Sequence, residues 1–376
     1  MRILLAHTKK PPCETRIFNK LAMALIQEQK WEISILGNDI PESKHFSSDQ
    51  IETLPIFKSK VNKSALWGDL LRFSQMLTLK KPDLIITCSP ELLPFAIYFK
   101  LIYNCKVVFD VQENHALNFR AQSQNKWPWS YLLSVFARIF FIITYQFVNE
   151  FWLAEKIYDL QLKLKKDRIK IFENKVPVFW AKNTLPVVDS DQIKNPYFLF
   201  SGFISKESGV LKAVHFFELF HKINPKWQLV IAGYCPDPIV KSFLQKSSAR
   251  NESIHLYGID QWLSSQEIHQ LLKKSSAVLM PYIETKANFG KTPTKFFEAL
   301  FWEKPVLINS RSHFSLPFFD PSIHIEVNFE RPPIDFIMQL AFDFEASALL
   351  QLRKEQPNTF DELGVRNAVT NLLKDF

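Results

Sequence analysis

Glycine is scarce, eight residues in a chain of 376. Phosphate-binding loops usually draw on it, because the backbone must approach the ligand closely or take positive φ. The loop His7 to Arg16 contains none, which disfavours close backbone approach to a phosphate there. Cysteine is rarer still. The four residues Cys13, Cys88, Cys105 and Cys235 form no C-x-x-C pair, which excludes a zinc knuckle and a thioredoxin-like motif. Cys88 and Cys105 lie in apolar, strand-like contexts and read as core thiols, in keeping with a reducing compartment. No secretory signal is visible: the run Ile3 to Ala6 is too short for one and suits a first buried strand, so a cytoplasmic location is expected. No metal site is evident, and no internal repeat of 20–50 residues. No aromatic–basic repeat favours a nucleic-acid partner, and no paired carboxylates of the glycosidase kind stand out. The second half also lacks net charge. Residues 191–376 hold 20 basic and 20 acidic side chains, whereas residues 1–190 hold 26 and 18, so the whole excess of +8 sits in the first half. That asymmetry points to an anionic partner for the first half, either a membrane surface or an acidic substrate; a solvated basic face is the bland alternative.

What is present is ample material for a core. Hydrophobic residues make up 47%, phenylalanine alone contributes 35, and the length favours two domains. Apolar runs at 2–6, 32–36, 83–87, 106–111 and 150–153 alternate with helical patterns at about 14–29, 64–80, 91–102 and 127–147. Runs at 197–201, 227–232, 253–257, 277–281 and 305–309 alternate likewise with patterns at about 207–224, 237–249, 264–274 and 293–302. Such alternation predicts an α/β protein of two Rossmann-like, doubly wound domains, with ligands beyond the carboxyl ends of the strands, in a cleft where the domains face each other. The predicted boundaries are 1–178 for an N-terminal Rossmann-like domain, 179–196 for a linker, 197–345 for a C-terminal Rossmann-like domain, and 346–376 for terminal helices, the last able to return to the first domain. Ser264 and Glu267 form a capping-box pattern, and Thr292-Pro293 reads as an N-cap followed by proline in the first helical position. Residues 127–148 are unusually apolar. Two readings stand: a buried crossover helix, or a helix with an apolar outer face at a membrane surface.

Four constellations carry candidate chemistry. In the first, the loop from Glu284 meets a helix at Thr292, Pro293 and Thr294, and that helix carries Lys295 and Glu298 three residues apart. A helix N-terminus and a lysine suit a diphosphate, and a carboxylate suits vicinal ribose hydroxyls; an ordinary Lys–Glu surface pair is the alternative. In the second, Gly202 follows a buried strand with Lys206 and Lys212 close behind. Further strand-end glycines are Gly233 and Gly258. The third, Lys106 to His115, ends a strand in Asp110 with Gln112, Glu113 and Asn114. The fourth is His7 to Arg16, where Arg16 either binds an acceptor phosphate or pairs with Glu14.

The segment PTKFFEALFWEKPV resembles the donor-site helix of retaining glycosyltransferase family 4, of the two-Rossmann GT-B type, at Pro293, Lys295, Glu298 and Pro305-Val306. KVVFDVQENH resembles the same family's D-V-H-E-N segment, YFLFSGFISKESGVLKAV its diphosphate loop, and Glu14 to Ile17 the start of its first helix. The resemblance implies that Glu298 binds the nucleotide ribose, that Gly202, Lys206, Gly233, Gly258, Thr292, Thr294 and Lys295 hold the nucleotide diphosphate, that Lys206, Gln112 and Glu113 join Glu298 in catalysis, and that Arg16 and Glu113 serve the acceptor. Four family positions differ: Phe203 replaces an arginine, Gln112 a histidine and Gly290 a glutamate, and Glu303 stands near the usual glycine position. The implied activity is transfer of a sugar, with retention, from a nucleotide diphosphate sugar to a glycan or lipid-linked acceptor in cell-surface polysaccharide or glycolipid assembly, with no cofactor and no required metal. A non-catalytic GT-B scaffold and a sugar-nucleotide epimerase on the same fold are the alternatives.

Overall fold

A computed structural model describes residues 1–26, 31–39, 49–58, 65–114, 135, 139–140, 142–162, 164–178, 195–261, 263–283, 289–310, 324–345 and 359–374. Most of 127–148, the linker at 179–194, the tail at 346–358, and the residues His115 and Glu284 fall outside them. The chain divides into two compact units, Met1–Pro177 with Phe360–Phe376, and Val178–Thr359.

In the first unit seven strands form one parallel sheet: β1 Arg2–Ala6, β2 Glu32–Asn38, β3 Ile51–Phe57, β4 Leu84–Thr87, β5 Lys106–Val111, β6 Glu150–Leu153 and β7 Ile169–Ile171. Their order is β3-β2-β1-β4-β5-β6-β7. The central strands are continuous apolar runs, as burial on both faces demands; all of β4 is buried. Periodicity does not reveal β3 or β7. The first contains Pro55, and a proline is tolerated there because β3 is an edge strand. The second, at the other edge, is three residues long and exposed at two of them. The first helix is π-helical over Thr15–Ala22 before a short α-turn at Met23–Leu25. The terminal helix Glu362–Leu373 buries Val365, Ala368, Val369 and Leu373, one stripe at helical spacing, in the cluster that holds Leu21 and Leu25.

The second unit has six parallel strands: β8 Tyr197–Ser201, β9 Gln228–Ala232, β10 Ile254–Tyr257, β11 Ala277–Met280, β12 Val306–Asn309 and β13 His324–Val327. Their order is β10-β9-β8-β11-β12-β13. The abundant phenylalanine is spent here: Phe198, Phe216, Phe217, Phe220 and Phe329 pack with Trp227 over one face of the sheet. The helix Ile334–Glu345, which the apolar runs did not reveal, adds Phe344 to the same cluster.

Both sheets therefore follow the doubly wound order, in which the progression of strand order reverses beside the first strand. In the first unit the reversal lies between β1 and β4, in the second between β8 and β11. Crevices outside the carboxyl ends of the strands at such points are where this architecture binds ligands. No described helix is long and apolar enough to cross a membrane.

Candidate functional site

In the second unit two loops meet at the reversal point. Gly202, at φ +104, follows β8, and Gly209, at φ +81, caps the helix Val210–Ile223. A Cβ on Gly209 would lie 1.9 Å from the Pro281 carbonyl oxygen, and the Ile283 N–H donates to the Glu207 oxygen at 3.1 Å. Glycine is thus spent where the two loops touch. Gly233, at φ +142, is required for a similar reason: its Cβ would strike the Gly202 oxygen at 1.8 Å. Between these glycines Ser205 and Ser208 form a self-bonded turn, with Ser208 Oγ donating to the Ser205 oxygen at 2.7 Å.

Lys295 reaches over this backbone. A Cβ on Gly202 would stand 1.9 Å from Lys295 Nζ, and Nζ donates weakly to Ser201 Oγ at 3.4 Å. Burial lowers the Lys295 pKa, and the nearby Glu298 charge offsets this only in part. The ammonium is therefore held in a setting that an anion would improve. The helix that carries it spans Thr294–Phe301. Pro293, not Thr292, occupies the cap position, with extended ψ of 136° and no side-chain cap, so the expected Thr292 cap is corrected. Proline cannot cap with a side chain, and the first-turn N–H groups have no side-chain cap. Thr292 is buried beside them and Thr294 is half-buried.

Glu298 sits one turn after Lys295. Behind it lies His269, buried, whose Nδ1 accepts from Trp302 Nε1 at 3.2 Å. An indole only donates, so Nδ1 carries no proton and the neutral ring has its proton on Nε2. That nitrogen lies 3.8 Å from Glu298 Oε1. Sequence reasoning missed His269 and Trp302; their link to Glu298 spans 29 and four positions and leaves no local pattern.

The other donor-side candidates are placed differently. Lys206 is exposed on the loop. Lys212 is taken by an ion pair with Glu330. Gly258, at φ +65, serves a turn in which Leu263 packs against it; a Cβ would lie 2.3 Å from Leu263 Cγ. Phe203, standing where the family resemblance expects arginine, is 53% exposed.

In the first unit, the third and fourth constellations merge into one buried network. Arg16 is 2% exposed and does not serve Glu14 through its guanidinium. It grips Asp110 at 2.5–3.2 Å, and donates to the Phe172 oxygen and Asn174 Oδ1, both at 2.8 Å. Asp110, expected only as a strand end, is its true partner. Glu14 instead caps the first helix, accepting from the N–H groups of Arg16 and Ile17 at 3.0 and 3.2 Å. Gln112 is held at both ends of its amide: Nε2 donates to Asp110 at 2.8 Å, and Oε1 accepts from Lys10 Nζ at 3.0 Å. Lys10 also bonds Glu14 at 2.9 Å. Burial pushes the Glu14 carboxyl up, but the Lys10 charge and hydrogen bond outweigh it and bring the pKa down to about 2. His7 accepts two backbone N–H bonds at Nδ1, from Lys9 and Lys10, and burial with the Lys10 charge lowers its pKa to about 4. Glu113 is exposed. The reversal point itself is bridged by side chains: Thr8 bonds Ser89 at 3.0 Å and also Glu91. Cys88, beside it, is buried and its thiol pKa is pushed up by burial, as a core thiol requires.

Among the described residues no group of three or more His, Cys, Asp or Glu is placed to hold a metal ion. No family model matches the chain, and no curated protein matches it in sequence. Solved structures do. A glycosyltransferase from Rickettsia africae is similar with a TM-score of 0.68 at 13% identity, covering 100% of this chain and 99% of that one. HepE from Anabaena, in complex with UDP-glucose, gives 0.62 at 10%, covering 100% of each chain. The UDP-GlcNAc 2-epimerase from Neisseria meningitidis, bound to UDP-GlcNAc, gives 0.60 at 13%, again covering 100% of each. The chain thus has the GT-B fold of two Rossmann-like α/β domains.

Proposed function

We propose that the protein is a sugar-nucleotide-dependent glycosyltransferase whose second unit holds a nucleoside diphosphate sugar. One observation carries the reading: Lys295 Nζ lies against the backbone of Gly202, at the reversal point of the second sheet, beside a helix N-terminus with no side-chain cap. The site offers a cation, backbone N–H groups and a carboxylate one turn away, in the order that a diphosphate and a ribose need. In the proposed reaction the bond from the anomeric carbon to the diphosphate oxygen breaks, an acceptor hydroxyl oxygen forms the new glycosidic bond and gives its proton to the departing diphosphate, and Lys295 with the Thr294–Phe301 helix stabilises the charge left on the diphosphate. Retention, the glycan or lipid-linked acceptor, and a place in cell-surface polysaccharide or glycolipid assembly follow the family resemblance. Glu298 would accept from the ribose hydroxyls, and Lys206 is the remaining loop cation.

A second reading is a sugar-nucleotide epimerase. It is favoured by the similarity to the epimerase bound to UDP-GlcNAc, whereas Phe203 in place of a cation in the diphosphate loop favours a non-catalytic scaffold. The two readings share the donor site and differ in the need for an acceptor. Nucleotide release and sugar-nucleotide isomerisation, measured over a panel of UDP-, GDP-, ADP- and CMP-linked sugars with and without glycan acceptors, separate them. Acceptor-dependent release lost in Glu298→Ala supports the transferase. Isomerisation without acceptor transfers the assignment to an epimerase, and a protein that binds no nucleotide is a scaffold.

A further inference from the structure

The helix Leu93–Tyr103 buries Leu93, Ala96, Ile97 and Phe99 against the first sheet. Its outer stripe, Pro94, Tyr98, Leu101 and Ile102, follows the same helical spacing yet is apolar and exposed, Tyr98 by 65% and Leu101 by 67%. Ile139, Ile142 and Ile143 repeat the pattern on a neighbouring helical segment, with Ile142 64% exposed. The turn after the second segment is tied to the helix Leu93–Tyr103: Lys100 Nζ donates to the Phe147 oxygen at 2.7 Å and to Asn149 Oδ1 at 2.9 Å. Helices that are apolar on both their inner and outer faces are covered by something other than water.

The charge around these stripes says what covers them. Arg168 donates to the Gln146 and Val148 oxygens at 3.1 and 3.2 Å, which sets it beside the second segment. Lys100, Lys106 and Arg168 are close enough to repel one another: burial, then the Lys106 and Arg168 charges, lower the Lys100 pKa. Lys165, Lys166 and Lys170 stand exposed on the adjoining loop and edge strand, with Asp167 the one exposed acid among them. Acids on the neighbouring strands are turned to other partners, Asp83 accepting from the Arg2 N–H and Glu150 from Trp152 Nε1. An exposed apolar stripe among crowded cations fits a surface that is apolar within and anionic at its rim.

We propose that this face of the first unit docks on an anionic lipid bilayer, the aliphatic stripes entering the headgroup boundary while the lysines and arginines meet the lipid phosphates. The proposal is independent of the donor site. It is tested by co-sedimentation of the full chain with phosphatidylcholine vesicles, with and without about 30 mol% phosphatidylglycerol, since anionic headgroups attract each nearby cation. Binding should appear with the anionic vesicles, be roughly tenfold weaker with neutral ones, and fall with added salt. The double variant Leu101→Glu/Ile142→Glu should lose vesicle binding while keeping its thermal unfolding, and Lys165→Glu/Lys166→Glu should weaken it by roughly tenfold. Leu101→Ser and Ile143→Ser singly provide milder versions should the double variant fail to fold. No binding of folded wild-type protein to anionic vesicles overturns the proposal. So does undiminished binding by folded stripe variants. Self-association abolished by the same substitutions, with no vesicle binding, overturns it in favour of a second copy on this face.

Discussion

The two units share one strand order and treat its reversal point in opposite ways. In the first, the point between β1 and β4 is bridged by side chains, Thr8 reaching Ser89 and Glu91. Around it the central charges are answered internally: Arg16 with Asp110, Lys10 with Glu14 and Gln112. In the second, the point between β8 and β11 is lined by backbone, with Gly202, Gly209 and Gly233 allowing the chain to pack closely, and Lys295 is drawn across it with only a long bond to Ser201 among the described residues. Under the proposed function, one sheet end is built as structure and the other as a receptor for charge, and side chains at the strand ends set the difference.

The sharpest way to break that contrast is in the first network. Arg16→Ala leaves Asp110 buried without its guanidinium, and removing one partner of a buried pair typically costs about 3–5 kcal/mol. Urea denaturation should show that loss. The double replacement Arg16→Met/Asp110→Leu should cost less than the single one, since apolar isosteres leave no orphaned charge. Equal cost for both would mean that the network contributes shape rather than charge pairing.

A pH titration tests the same network. His7 is lowered from 6.5 to about 4 and Glu14 from 4.5 to about 2. For each, the unfolded chain takes up a proton before the folded one does. Stability therefore falls as pH drops, first from 6.5 toward 4 through His7, then from 4.5 toward 2 through Glu14. At 1.36 kcal/mol per pH unit of difference, discounted for relaxation, about 2 kcal/mol should be lost between pH 7 and 4. Burial lowers His255 in the second unit as well, so the decisive measurement is the variant: His7→Asn should flatten much of this acid limb in urea midpoints.

At the second reversal point, Lys295→Met should do the reverse. Removing a buried cation whose pKa is lowered should leave stability at neutral pH unchanged or improved, because the folded state disfavours its charged form. Wild-type stability should rise with pH toward the ordinary lysine value of 10.5, as the unfolded chain holds the proton longer, and the variant should lack that rise. Nucleoside diphosphate affinity should drop by about 2 kcal/mol, the scale of a charge-assisted hydrogen bond, read by calorimetric titration. Destabilisation with unchanged affinity would make Lys295 a structural residue and equate the two units.

Much of this was legible before any coordinates. The apolar runs mark ten of the strands because a strand buried on both faces must be continuous in its hydrophobicity. The capping box at Ser264 is also visible, and forms as read. What failed to show has a common cause. The edge strands β3, β7 and β13 are not buried along their whole length and so carry no continuous apolar run. Arg16 was readable as functional or as a partner of Glu14 because its true partner, Asp110, is 94 residues away. The bridge from Thr8 to Ser89 spans 81. Lys295 and Glu298 are readable as a pair because a helix sets their spacing locally, whereas the approach of Lys295 to Gly202 depends on two loops that only the sheet brings together.

The helix N-termini of the second unit sharpen the comparison further. Asp237 caps Pro238–Arg250, its Oδ1 accepting from Ile239 and Val240 N–H groups at 2.8 and 3.3 Å, and Ser264 caps Ser265–Lys274. The two helices that begin at the reversal point, after β8 and β11, have no side-chain cap. If those N–H groups are kept for a ligand, supplying a cap should compete with it. Pro293 already has the extended backbone that a cap position takes, so Pro293→Asp should gain about 0.5–1 kcal/mol in stability from the new hydrogen bond. Its carboxylate would occupy the anion position, and nucleoside diphosphate affinity should fall. Ser264→Ala is the matched control, losing about 1 kcal/mol of stability with no change in affinity. A Pro293→Asp protein that is more stable and still binds nucleotide at full strength would remove the Thr294–Phe301 N-terminus from the donor site and leave Lys295 to act alone.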